Sequence, residues 1–209
     1  MTALLASHRD LDFSVVGLYS PVPECGKSTL ARALLQQSVC HCEIIPFARP
    51  LKSAAVGFIA SLAGVTLAEA AHYVYVNKSE PVPGLRNLTG RVVLQKLGEA
   101  GRRMDPDLWV RQWEASALER LLDGFSVVAD DVRRPNEAAA VLRCGGGEVW
   151  RLSRAEAEVN ADPEVIADVS EGALEGWIFN RRFSNDGTTE ELLDTVRADL
   201  SRNPFPCLA

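Results

Sequence analysis

The hydrophobic positions fall into short runs separated by longer stretches of helical spacing. Residues 13–18 (FSVVGL) make a compact apolar run rich in valine, the pattern of a buried strand. Beyond it, Leu30, Ala31, Leu34 and Leu35 recur at helical spacing over 28–37. Residues 42–48 (CEIIPFA) predict a second strand, and 50–76 predict a helical stretch broken near Gly64-Val65-Thr66. The segment 79–90 (SEPVPGLRNLTG) carries turn-forming proline and glycine and predicts a loop. Helices are expected over about 91–101, 106–122, 136–143 and 188–201. Strands are expected over 125–131 (FSVVADD), 148–153 (EVWRLS) and 176–180 (GWIFN). Strands alternating with helices predict an α/β protein with a parallel sheet covered on both faces. A long helical insertion separates the second strand from the third.

Composition narrows the class. The chain has 209 residues, 47% of them apolar and 24% charged, which suits one α/β domain with a good core. The net charge of -6 gives no overall attraction to nucleic acid, so any such contact needs a local basic patch. No run of about 18 apolar residues occurs, so no membrane span is expected. The first residues lack the basic and apolar regions of a signal peptide. Five cysteines without framework spacing fit a reducing cytoplasm. Cys40-His41-Cys42 has metal-ligand residue types, but ligands so close together rarely close a tetrahedral site, and no second pair follows.

The stretch 15–35 (VVGLYSPVPECGKSTLARALL) holds the candidate chemistry. It ends as a phosphate-binding loop does, in Gly26-Lys27-Ser28-Thr29 opening a helix after a strand. The usual first glycine of that motif is replaced by Pro21, and Pro23 follows. Proline lacks an N–H, so its place in the loop matters. Both prolines stand at the front, and Glu24, Cys25, Gly26, Lys27, Ser28 and Thr29 keep their donors for wrapping a phosphate. Lys27 would reach the β- and γ-phosphates, and the Ser28 hydroxyl would ligate Mg²⁺.

Four further stretches coincide in order: PFARPLK (46–52), LTGRVVLQKLGEAGRRMDPDLWVRQ (88–112), VVADDVRRPNEAAAVLRCGG (127–146) and NDGTTEEL (185–192). With the phosphate loop, the chain resembles the deoxynucleoside monophosphate kinases of tailed bacteriophages. The resemblance covers most of residues 13–200. It implies a three-layer P-loop NTPase fold with a five-stranded parallel sheet of order 2-3-1-4-5. It divides the chain into a core (13–48 and 123–202), a helical substrate-binding insertion (about 49–122) and a lid (about 153–174). It also implies ATP and Mg²⁺ as cofactors, a deoxynucleoside monophosphate as acceptor, and a phage or prophage source, hence the cytoplasm of the infected bacterium. Similar kinases often pair, so a homodimer is a further expectation.

Phosphoryl transfer asks for positioning and charge neutralisation more than for covalent chemistry. Arg91, Arg102, Arg103 and Arg111 lie where similar kinases seat the monophosphate, although Arg102 and Arg103 equally suit a helix C-terminus. Lys52 resembles the family's lysine at the first substrate helix, or is a solvated lysine. Gln95 and Trp109 are candidates for contact with the base, with core packing as the other reading of Trp109. Asp130 and Asp131 end a strand at the edge where ligands of α/β sheets bind. Asp130 is assigned to the Mg²⁺ shell with Ser28. Asp131 matches the aspartate of the family's D-x-R block and Arg133 its arginine, with catalytic roles; Glu137 would anchor Arg133 or Arg134 by an ion pair. The lid is acidic beyond Arg154, a departure from similar kinases. Either Arg154 acts alone there, with Arg151 just before it, or Arg181 and Arg182 cover the phosphates. Asn185, Gly187 and Thr188 match the loop that holds adenine, and Asp186 or Thr188 also suits a helix N-cap. Two other readings keep the phosphate loop: a kinase acting on a hydroxymethylated base in phage DNA, and a nucleotide-binding protein without catalysis.

Overall fold

A computed structural model describes residues 14–37, 41–86, 88–144, 146–160 and 173–203. The start of the first expected strand, Cys40 and most of the expected lid lie outside the described residues.

Two compact units emerge, one formed by Phe47–Trp113 and the other by the described residues on either side of it. The second is built on five strands: β1 (Val15–Tyr19), β2 (Cys42–Ile44), β3 (Ser126–Ala129), β4 (Glu148–Ser153) and β5 (Arg181–Ser184). All pair in parallel, in the order β2-β3-β1-β4-β5. β1 is therefore central and entirely buried, as its unbroken apolar run requires of a strand covered on both faces. Side chains alternate across the sheet. On one face Val16, Leu18, Val128, Trp150, Leu152 and Phe183 pack with Leu30, Ala31 and Leu34 of α1 (Lys27–Gln37). The last helix, α8 (Thr189–Arg202), adds Leu192, Val196 and Leu200 to the same cluster. Burying each of these larger side chains contributes roughly 1.5–3 kcal/mol before chain entropy is set against it. The other face of β1 meets α6 (Pro135–Arg143), where a Cβ added to Gly17 would lie 2.9 Å from both Val132 and Val141.

The unit Phe47–Trp113 is helical. It contains α2 (Ala48–Ala63), α3 (Leu67–Tyr75) and α4 (Gly90–Met104), around a core of Ala55, Ile59, Ala70, Val74, Val82 and Val93. The expected break at 64–66 is a left-handed Gly64 ending α2, followed by Thr66, which caps α3 in a reciprocal pair with Glu69. Phe47 stacks on Trp113 with ring centroids 4.0 Å apart. Helix α5 (Leu108–Leu122) contains the division between the units. A short α7 (Ala155–Val159) follows β4. No helix among the described residues is long and apolar enough to cross a membrane.

Two strand expectations need correction. Residues 42–48 supply only three strand residues, because Ala48 already starts α2. The last strand is Arg181–Ser184 and not 176–180. Gly176 takes a φ of +83° and Ile178 is 90% exposed, so the apolar GWIF run is a surface loop. The arginines hid the strand, since an edge strand tolerates charge. Arg181 lays its guanidinium 5.3 Å over the Trp150 ring and pairs at 2.6 Å with both Glu148 and Asp199. Its side chain is only 9% exposed. Arg181→Ala should therefore leave two carboxylates without their cation and lower unfolding stability by about 3 kcal/mol, checked by urea denaturation.

Candidate functional site

The phosphate loop grows from the end of β1. Ser20 closes the turn by donating its hydroxyl to the Val22 carbonyl at 2.6 Å. Val22 and Cys25 plug into the core and hold the loop down. Glu24 and Gly26 both take positive φ, +64° and +96°. Left-handed residues in such a loop turn successive amides toward one point, the geometry of an anion-binding nest. Gly26 is required twice over, by its φ and because a Cβ there would meet the Asn185 amide at 2.5 Å. Glu24 has no such freedom, and its left-handed backbone stores strain. Neither proline interrupts residues 24–29. Helix α1 then starts at Lys27, adding its positive end to the loop. The Lys27 ammonium donates to the Ser20 hydroxyl and so folds back over the loop. Thr29 is exposed in the first turn of α1.

Ser28 donates its hydroxyl to Asp130 at 2.8 Å, so the two residues assigned to the metal come together. A hydroxyl beside one carboxylate is a hard oxygen set that suits Mg²⁺, which keeps most of its waters and takes few protein ligands. No larger cluster of metal-binding side chains occurs among the described residues. Asp130 and Asp131 occupy the turn just beyond β3. Arg133 is exposed there. Glu137 accepts the backbone N–H of Arg133 at 2.8 Å and of Arg134 at 3.1 Å. The expected anchoring by Glu137 thus acts through the main chain, fixing the start of α6. Burial pushes the Glu137 carboxyl up to about 7; the two amides and Arg134 oppose the shift, and the charge of Asp131 adds to it.

The turn expected to hold adenine has structural contacts of its own. Asn185 is buried and donates its side-chain amide to the Cys25 carbonyl at 3.1 Å, clamping the phosphate loop from β5. Asp186 accepts the Ala155 amide at 2.7 Å, which ties the start of α7 to the same turn. Gly187 is exposed, and Thr188 caps α8 reciprocally with Glu191. Arg154 pairs with Glu156 at 3.0 Å on the surface, a weak bond that a stronger anion would displace. Residues 161–172 of the expected lid lie outside the described residues.

In the helical unit, the arginine candidates separate. Arg111 is bound to Asp105, whose carboxyl it holds below the usual range. Trp109 lies over Gly101, where a Cβ would fall within 2.7 Å of the indole, and donates to the Gly98 carbonyl at 3.3 Å. These contacts match the packing reading of its indole. Arg102 folds along α4 toward Gly98, while Arg103 and Gln95 are exposed. Lys52 and Arg91 instead converge on Lys78. Burial lowers the Lys78 ammonium's pKa, and the charges of Lys52 and then Arg91 lower it further. The backbone supports the grouping, since the Arg91 amide donates to the Lys78 carbonyl at 2.8 Å. Lys52 also sits 5.5 Å over the Tyr75 ring. Sequence reasoning missed Lys78 because it lies in a loop without periodicity.

No protein-family model matches the sequence, and no curated protein matches it. Among solved structures, an unliganded sugar kinase from Janibacter sp. HTCC2649 has the same fold at a TM-score of 0.51 and 14% identity, over 94% of this chain and 98% of that one. The chain thus shares an α/β fold with that kinase, here built on a five-stranded parallel sheet of order 2-3-1-4-5.

Two outcomes follow from the loop and its neighbour. Glu24→Gly relieves a left-handed residue at the cost of some unfolded-state entropy, and should raise stability by up to about 1 kcal/mol in urea. Glu137 binds its proton more tightly folded than unfolded. Its stabilising term is therefore full below the ordinary value of 4.5 and is lost as pH rises through about 7. Glu137→Gln should flatten that fall, seen by unfolding the two proteins at about pH 5 and about pH 8.

Proposed function

We propose that this chain transfers the γ-phosphoryl group of ATP to a deoxynucleoside monophosphate. The observation that carries the reading is the grouping of Lys52, Lys78 and Arg91 in the helical unit: the Arg91 amide donates to the Lys78 carbonyl at 2.8 Å, and burial first, then the charges of Lys52 and Arg91, lower the Lys78 ammonium's pKa. An acceptor that already bears a phosphate dianion would relieve that repulsion and be fixed by it. The phosphate loop supplies the donor side. Its amides and Lys27 would orient the β- and γ-phosphates, with Ser28 and Asp130 positioned for the cation. Magnesium, when bound, offsets charge on the phosphate oxygens. Asp131 lies beside the capped start of α6, where exposed Arg133 can meet developing negative charge. A phosphate oxygen is already ionised near neutral pH, so the acceptor needs no strong general base; the residues serve to position it.

The test is a coupled ADP-release assay with ATP, Mg²⁺ and a panel of deoxynucleoside and nucleoside monophosphates. Sugars belong in the panel because the structural neighbour is a sugar kinase. Modified duplex DNA belongs in it to test a base in DNA as acceptor. Turnover with a deoxynucleoside monophosphate supports the reading. ATP binding without transfer to any acceptor overturns it in favour of a nucleotide-binding protein. Lys27→Ala should abolish transfer. Lys78→Ala should raise the acceptor KM on the order of tenfold, the worth of one charge-assisted contact, and leave the ATP KM unchanged.

A further inference from the structure

β4 lies between β1 and β5, yet its interior carries Arg151. The register places Arg151 beside Tyr19 of β1 and beside Arg182 of β5. Parallel register partners share a face, so Tyr19, Arg151 and Arg182 form one row across three strands. This is the face opposite the Trp150–Leu152–Phe183 core. The row stands at the end of β1, one residue before Ser20 opens the phosphate loop, and carboxyl ends of parallel strands are where α/β sheets bind ligands.

Phe179 spans the row. Its ring stacks on Tyr19 with centroids 5.2 Å apart, and the Arg182 guanidinium carbon lies 4.9 Å from the same ring. Beneath this cover, Arg151 Nε is buried and has no hydrogen-bond partner among the described residues. Trp177 Nε1 is buried and without a partner in the same way, and the Trp177 carbonyl accepts from Arg182 at 3.5 Å. Arg181, the neighbour of Arg182, holds Glu148 and Asp199. The row thus sets two cations directly opposite each other, which alone is unfavourable. It also leaves buried donors unmet, which is costly in a folded protein. Among the described residues, two buried donors without a partner beside a pair of guanidinium groups describe a site for an anion.

We infer that Arg151 and Arg182 form a second oxyanion site, separate from the phosphate loop, that takes a phosphate group. Two guanidinium forks on adjacent strands suit a tetrahedral oxyanion, and Phe179 holds one fork flat while excluding water from the other. The assignment of that phosphate to donor or acceptor rests on the kinase reading; the site itself does not.

The experiment uses the full chain and inorganic phosphate as the probe. In a Lys27→Ala, Lys78→Ala background, which weakens both the phosphate loop and the cation group proposed for the acceptor, calorimetry should still register phosphate binding. Adding Arg151→Gln and Arg182→Gln should weaken that binding at least tenfold, and Arg151→Lys should restore part of it. Without phosphate, Arg151→Gln should unfold no earlier than its parent, because it removes a cation whose buried Nε has no partner among the described residues. Phosphate binding that is unaffected by these two further substitutions, or absent in the Lys27→Ala, Lys78→Ala protein, overturns the inference. So does an Arg151→Gln protein that loses equal stability with and without phosphate, the mark of a structural arginine. If the enzyme turns over, Arg182→Gln raising the ATP KM alone places the donor's phosphate at the pair, and raising the acceptor KM alone places the acceptor's there in place of the Lys52, Lys78 and Arg91 group; both support the site. Phosphate binding without any turnover leaves the pair standing and sinks only the kinase reading.

Discussion

The hydrogen bond from the Asn185 amide to the Cys25 carbonyl is the interaction on which the candidate site depends. A phosphate loop works only if its amides stay turned inward, and this one lacks the usual first glycine and carries a strained residue at Glu24. The clamp from Asn185, with Val22 and Cys25 anchored in the core, holds that shape without a ligand. Preorganisation of this kind lowers the ordering cost of binding. Gly26 is the point where clamp and loop meet, and no side chain fits there.

Charge is arranged with equal economy. Many of the chain's cations are matched to carboxylates: Arg181 to Glu148 and Asp199, Arg111 to Asp105, Arg120 to Glu43, Arg143 to Glu114. Two groups are arranged otherwise. In the helical unit burial and the charges of Lys52 and Arg91 act on the Lys78 ammonium, and on the sheet Arg151 is the register partner of Arg182. Folding stability alone favours neither, which is why both read as places for phosphate.

Much of the fold was legible in the residues. The strand-loop-helix at 15–37, the break at Gly64 and the strand 148–153 follow from periodicity and capping chemistry. The sheet order came from the family resemblance. The pairing of Ser28 with Asp130 was legible because both belong to motifs with a stated mechanism. The rest depended on tertiary contacts that spacing does not encode. Nothing local to Asn185 says that its side-chain amide reaches Cys25. Spacing likewise did not show that Arg111 meets Asp105 or that Trp109 lies over Gly101. β5 was displaced because polarity along the chain cannot tell a loop from an edge strand whose arginines lie over aromatic rings. Arg151 carried a signal that was not used: a charged residue inside an otherwise apolar strand.

The two ends of the sheet bear on self-association. β2 has three residues and β5 has four, two of them arginines. Short, charged margins of this kind are poor templates for another chain's backbone, because an incoming strand would find few open amides and a positive barrier. Any pairing of two copies of this protein would therefore be built from helix surfaces or loops, and not by continuing the sheet from one molecule into the next.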